Sequence, residues 1–189
     1  MNKNFILASQ SQQRKELLKQ INFNTYKVEP ADIDEKPHIN EKPSQYVKRM
    51  ALEKAECVAK KHIGEIVLAS DTVIVCGTKI IQKSKSHCEQ KKIMNLLSGR
   101  THKVLTAVCV INSFGKASLR LNTTKIKMKK LSQKEILDYV ESEEWIGCAG
   151  YRIEGILGGF VQQIMGSYSG VVGLPLYETR CLLVGAGVH

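Results

Sequence analysis

Residues 65–77 read EIVLASDTVIVCG. So dense a run of Val, Ile and Leu, closed by a glycine, fits a long buried strand better than an amphipathic helix. A buried strand needs partners, so the rest of the chain has to supply a sheet. The run also carries a carboxylate, Asp71, in its middle. An ionised group is costly to bury unless something uses it. Three readings stand open: a metal ligand, a general base at a strand's end, or an aspartate at a bulge or edge held by Thr72 or by backbone.

Around this run, strand and helix patterns alternate. Residues 4–8 read as a buried strand, 11–20 as a helix and 25–29 as a short strand. Residues 30–43, PADIDEKPHINEKP, form a polar loop with three prolines. Val47, Ala51, Ala55 and Val58 set the apolar stripe of a helix over 44–62, with Ser44 as its N-cap. After Gly77, Lys79–Gln82 reads as the return strand of a hairpin. Ser86 and Glu89 have capping-box spacing before a helix to about Leu97. A strand over His102–Ile111, a turn at Ser113–Lys116 and an alternating strand over 118–129 follow. Ser132 and Glu135 open another helix, to about Glu143. The last third is Gly-rich, with a strand around Phe160–Met165 and a final helix with Pro175 at its first position and Gly185 near its end. The class is α/β, with a mixed sheet because hairpins and crossovers both occur.

The length of 189 residues suits one domain, 1–189, with two lobes around a cleft. No apolar run is long enough to span a membrane, and the N-terminal apolar stretch is too short for a signal peptide. A cytoplasmic location is therefore expected. The six cysteines, Cys57, Cys76, Cys88, Cys109, Cys148 and Cys181, show no C-x-x-C pair and no zinc spacing. They read as small core residues in a reducing compartment. A net charge of +10 suits a polyanionic partner, a nucleotide or a nucleic acid. It fits a lysine-rich proteome equally. An aromatic content of 6% argues against stacking platforms for single strands, so nucleic acid is the less favoured partner.

Several segments could carry chemistry. LASQSQQR, Leu7–Arg14, runs from a strand through a turn into a helix N-terminus, where free backbone N–H groups bind anions. Ser9, Ser11 and Arg14 could add donors, although a plain capped helix with a surface arginine gives the same pattern. The spacing is not that of a Walker loop. Lys54 lies close to the apolar stripe of its helix, where a lysine usually snorkels to solvent. Asp32, Asp34 and Glu35 could serve a hard cation or form a solvated acidic loop. Lys83 and the Arg100–His102 turn are further basic candidates. No Ser-His-Asp order is convincing.

Taken together, these segments resemble the Maf family of nucleoside triphosphate pyrophosphatases over nearly the whole chain. The carrying motifs are LASQSQQRKELL, Ile33-Asp34-Glu35, Glu53-Lys54-Ala55, ASDTVIV at 69–75, LSGRTHKVLT at Leu97–Thr106, and GSYSGVVGLPL at Gly166–Leu176. The resemblance implies an elongated mixed sheet split by a nucleotide cleft, like that of inosine triphosphate pyrophosphatases. It implies hydrolysis of a nucleoside triphosphate to the monophosphate and pyrophosphate with Mg²⁺ or Mn²⁺. On its terms Ser9, Ser11 and Arg14 grip the triphosphate, Asp71 accepts a proton from water, and Glu35 with Asp71 holds the metal. Lys54 and Lys83 neutralise phosphate charge, and Arg100 adds a substrate contact. A homodimer and a link to arrest of septum formation also come with the family, besides a house-cleaning role on surplus nucleotides.

The chain departs from the family at Gln12-Gln13, where Pro-Arg is usual, at Ser84 after Lys83, and in GCAGYRIEG, which is one residue short. Gln13, Thr72 and Glu154 match the positions that separate substrate subgroups. Thr72 points to dTTP and UTP, while Glu154 points to 7-methyl-GTP, since a carboxylate accepts from a base's N–H donors. The expectation is dTTP/UTP. The alternatives are a 7-methyl-GTP pyrophosphatase and a nucleotide-binding regulator of cell division without turnover.

Overall fold

The computed structural model describes residues 4–189. The elements run β1 (Phe5–Leu7), α1 (Gln12–Gln20), β2 (Tyr26–Val28), α2 (Pro43–Ala59), β3 (Ile66–Cys76), β4 (Lys79–Ile81), α3 (His87–Leu97), β5 (Thr101–Ile111), β6 (Ala117–Met128), α4 (Gln133–Glu141), β7 (Val161–Met165), α5 (Tyr168–Val172) and α6 (Leu176–Gly185). The α/β class and the mixed sheet expected from the sequence are what the fold shows. One sheet takes the order β2-β1-β3-β5-β6-β7, with β4 also on β3. β1 lies parallel to β2 and β3, whereas β3–β5, β5–β6 and β6–β7 are antiparallel.

The Val- and Ile-rich run is the central strand, β3, and its pairing creates the cleft. One edge of β3 pairs continuously with β5, from Val67↔Ile111 to Val75↔Lys103. Its other edge is shared: β1 takes Ile66–Leu68 and β4 takes Ile74–Cys76. Residues 69–73 between them have no strand partner on that side. Asp71 sits in this gap.

The two faces of the sheet bury different cores. On one, Val67, Ala69, Val73 and Val75 of β3 join Leu105, Ala107 and Cys109 of β5 under Val47, Met50, Ala51, Ala55 and Val58 of α2. The other face is divided. Leu68, Val108 and Val110 pack with β1, α1 and α6, while Ile74, Val104, Ile126 and Met128 pack with α3, α4 and the buried Trp145 and Tyr151. Between these two clusters runs a polar seam of buried Ser70, Thr106 and Thr124 with half-buried Thr72.

Residues 166–173 are tied into that seam. Ser70 Oγ donates to Gly173 O at 2.9 Å, Thr106 Oγ1 to Gly170 O at 2.7 Å, and Ser167 N to Thr124 Oγ1 at 2.9 Å. A Cβ on Gly170 would come within 2.8 Å of Asn122 Oδ1, so a larger residue there would displace the Asn122 side chain.

Several boundaries differ from expectation. α2 begins at Pro43, with Gln45 Oε1 accepting from Lys42 N at 3.2 Å, and Ser44 is not its cap. Pro43 has its φ pre-set and no N–H to satisfy, so it opens the helix one residue early. Ser132 and Glu135 do form a reciprocal capping box. Ser86 caps α3, but Glu89 accepts from Lys85 N instead of Ser86 N, so only half of that box exists. Pro175 is the N-cap of α6, one position outside the expected place. The cysteines are all free, yet only Cys109 is buried; Cys88 and Cys181 are exposed. Among the described residues no helix is long and apolar enough to cross a membrane.

Candidate active site

A cleft of about 920 Å³ opens over the gap in the β3 edge. Of the residues singled out from the sequence, Ser9, Ser11, Gln13, Arg14, Glu35, Lys54, Asp71, Thr72, Lys83 and Glu154 line it. They come from six separate stretches of chain. Arg100 does not: it is exposed on the turn before β5, outside the cleft lining. Its backbone N–H closes that turn on Leu97 O at 3.1 Å. Asp32 and Asp34 are likewise outside the lining, and Asp34 pairs with Lys36 at 3.9 Å on the surface.

Lys54 does not snorkel. Its Nζ lies 2.7 Å from Asp71 Oδ1 and 2.7 Å from Glu35 Oε1, so one ammonium joins two carboxylates. α2 lies across the face of β3 on which Asp71 projects, and this directs Lys54 into the gap. Glu35 belongs to a loop, but the loop is pinned. Tyr46 Oη donates to Glu35 O at 2.8 Å. Arg49 clamps Glu41 through two bonds of 2.7 Å and donates to Lys36 O at 3.1 Å.

Burial raises the pKa of Asp71 above its ordinary value of 3.8, opposed by the charges of Lys54 and Arg14. Its basicity is thereby increased while a cation stands by to keep it ionised. Glu35 also pays desolvation, but the hydrogen bond and charge of Lys54, with Lys83 and Arg14 beyond it, hold its pKa below 4.5. Two neighbouring carboxylates thus have their affinities for a proton pushed apart.

Arg14 is half-buried at the start of α1, where desolvation lowers its pKa against the pull of Asp71 and Glu35. Its Nε donates to Gly173 O at 3.0 Å and its Nη1 to Ser9 Oγ at 3.0 Å. Ser11 caps α1 by accepting from Arg14 N at 3.4 Å, and its hydroxyl donates to Gln13 Oε1 at 3.1 Å. The plain capped helix and the anion site are therefore the same structure. The cap is present, but the arginine points into the cleft instead of to solvent.

Lys83 reaches the cleft because its backbone bridges to Ala149. This bridge also sets the wall formed by residues 147–154. Two residues of the site escaped the sequence reading. Tyr46 gave no signal beyond a helical apolar position. Arg152 lay inside a segment read only for its irregularity; its Nε is buried and has no hydrogen-bond partner among the described residues. His102 is not at the cleft. It is buried against Tyr151, with 2.6 Å between Nε2 and Oη.

Among the described residues no group of three or more His, Cys, Asp or Glu side chains is placed to hold a metal ion. Glu35 and Asp71 nevertheless fit a hard divalent cation of the kind that takes one or two protein carboxylates and completes its shell from phosphate and water. Both already face one cationic centre, the Lys54 ammonium.

A family model described as Maf-like protein matches residues 4–186. The chain is similar to proteins named dTTP/UTP pyrophosphatase. It is 47% identical to that of Caulobacter vibrioides, covering 96% of this chain and 95% of the relative. It is 45% identical to that of Zymomonas mobilis, covering 99% and 93%. Among solved structures, a HAM1 protein from Coxiella burnetii covers 97% of this chain and 99% of its own with a TM-score of 0.54 at 14% identity. The Ham1 protein of Staphylococcus aureus covers 67% and 72% with a TM-score of 0.50 at 18% identity. These two likenesses concern the fold.

Proposed function

The chain belongs to the Maf-like protein family, and on that premise we propose that it is a nucleoside triphosphate pyrophosphatase acting on dTTP and UTP. The observation that carries the reading is the Glu35–Lys54–Asp71 arrangement in the open edge of β3. It sits in one cleft with Arg14, Ser9, Ser11 and Lys83. Polyanion-binding groups and a carboxylate of raised pKa converge there, inside a single domain whose two halves face each other across the cleft.

In this reading the triphosphate lies against the α1 N-terminus, with Arg14 and the hydroxyls of Ser9 and Ser11 on its oxygens. Asp71 accepts a proton from a water molecule whose oxygen forms a bond to phosphorus. The α–β anhydride bond breaks, and the pair of electrons leaves with pyrophosphate. Lys54 keeps Asp71 ionised before the transfer, and Lys83 and Arg14 offset charge on the phosphates as it shifts to the leaving group. Glu35 and Asp71 would hold Mg²⁺ or Mn²⁺, which when bound supplies further charge neutralisation on the phosphates.

The dTTP/UTP preference rests on relatives of about 45% identity bearing that name and on Thr72. Thr106 has one hydroxyl proton and gives it to Gly170 O at 2.7 Å, so at the 3.0 Å contact between the two threonines Thr72 is the donor. The oxygen of Thr72 is left as an acceptor toward the cleft, suited to a hydrogen-bond donor of the substrate. Pyrophosphate release from dTTP, UTP, CTP, ITP and 7-methyl-GTP tests the reading. Turnover led by dTTP and UTP supports it, and turnover of 7-methyl-GTP alone would give Glu154 control of the base. A cytoplasmic location, a homodimer and a role in septum formation are compatible with this function and are not needed by it.

A further inference from the structure

Arg152 brings a guanidinium into the cleft that the fold itself does not use. Its backbone N–H donates to Tyr139 Oη at 3.2 Å, and its neighbours Tyr151 and Ile153 are buried in the core beneath α4. The main chain is thus fixed on both sides of the residue. Its side chain lines the cleft, with Nε buried and without a partner among the described residues. Its guanidinium makes no hydrogen bond or ion pair among the described residues, so its donors are left for an acceptor that enters the cleft. Arg14, by contrast, already spends its Nε on Gly173 O and its Nη1 on Ser9.

The placement of Arg152 says which part of a nucleotide it meets. The groups suited to phosphate, Ser9, Ser11 and Arg14, lie at the β1–α1 junction. Arg152 comes from the wall after α4, two residues before Glu154, which lines the same cleft. A triphosphate seated at the α1 N-terminus leaves its nucleoside toward that wall. A guanidinium only donates, and an ionised carboxylate only accepts. Thymine and uracil present a carbonyl, an N–H and a second carbonyl along one edge.

We propose that Arg152 is a specificity-determining residue that donates to a carbonyl oxygen of the bound pyrimidine, beside Glu154 accepting from its N3–H. This rests on reading the cleft as a nucleotide pyrophosphatase site. It also resolves the presence of Glu154 in a cleft otherwise suited to pyrimidines: the carboxylate takes the N–H, and Arg152 takes the carbonyl beside it.

The test is equilibrium binding of UMP, 2-thio-UMP, 4-thio-UMP and inorganic tripolyphosphate to the wild type, Arg152→Ala and Arg152→Lys. Removing a donor that meets a base carbonyl weakens UMP binding about tenfold or more. Tripolyphosphate binding stays unchanged. One of the two sulfur substitutions weakens binding to the wild type and has no such effect in Arg152→Ala. Arg152→Lys keeps the charge and falls between, and it carries the test if the alanine variant does not fold. Equal weakening of tripolyphosphate and UMP would overturn the proposal in favour of a phosphate clamp, and unchanged UMP binding would overturn it outright. Pyrophosphate release from UTP by the wild type is measured alongside. Its absence, with the UMP pattern intact, would refute the pyrophosphatase reading and leave the Arg152 contact standing.

Discussion

Lys54 Nζ stands 2.7 Å from Asp71 Oδ1, and both side chains are only 12% exposed. This pair joins α2 to the middle of β3 at the one stretch of its edge that neither β1 nor β4 covers. The lysine is what makes a carboxylate tolerable there, because an unpaired buried charge costs several kcal/mol. Lys54→Met removes it. Asp71 can then escape by taking a proton, so the stability loss is held to about 3 kcal/mol or less. The same escape removes the base. Turnover therefore collapses at neutral pH and recovers partly as pH rises. A pH–rate profile beside a urea melt reads both, and a neutral-pH rate close to wild type would show that Lys54 does not sustain Asp71.

Arg14→Lys keeps the charge but loses the fork that meets Gly173 O and Ser9 Oγ together. Gly173 O retains Ser70 as a donor. The stability cost is therefore modest, about 1–2 kcal/mol. The larger effect falls on substrate: KM for UTP rises about tenfold, since a bidentate hydrogen-bonding site is replaced by a point charge. Steady-state kinetics check this against the melting temperature.

Thr106→Val removes the hydroxyl that joins Gly170 O to Thr72. The carbonyl of Gly170 is left buried without its donor, at about 1–3 kcal/mol. The hydroxyl of Thr72 is freed to rotate, so selectivity for dTTP and UTP over CTP narrows. Denaturation curves and kcat/KM ratios measure the two effects.

The Asp71 strand was legible because a carboxylate inside a run of Val and Ile is costly without a use. The capping serines at positions 86 and 132 were legible because each has a glutamate three residues on, at the N–H it caps. Lys54 was not legible from spacing alone: whether a lysine beside an apolar stripe snorkels or turns inward depends on the strand beneath it. The gap in the β3 edge follows from β1 and β4 sharing one side, a long-range pairing that no local pattern encodes. Arg100 lay in a motif-like turn, but the turn contributes nothing to the cleft lining. Tyr46 and Arg152 sat in plain view as a core aromatic and a loop cation, and only their neighbours give them a task.

His102 is buried against Tyr151, and desolvation lowers its pKa from 6.5 to about 4. The unfolded chain therefore binds the extra proton more readily than the folded one between those values. The stability that follows is fully present above pH 6.5 and is lost as pH falls toward 4, with a magnitude on the order of 3 kcal/mol. Thermal melts across this range show the slope in the wild type and a shallower one in His102→Asn. Equal slopes would mean that other groups titrate instead.

The central claim is that Asp71, in the open edge of β3, activates water to split a nucleoside triphosphate. The most direct measurement compares wild type and Asp71→Asn for UTP binding and for pyrophosphate release with Mg²⁺ or Mn²⁺. The asparagine keeps an oxygen for Lys54 but cannot take the proton. The account predicts UTP affinity within a few-fold of wild type and turnover lower by about 10²–10⁴-fold. Pyrophosphate release from Asp71→Asn at the wild-type rate would contradict it.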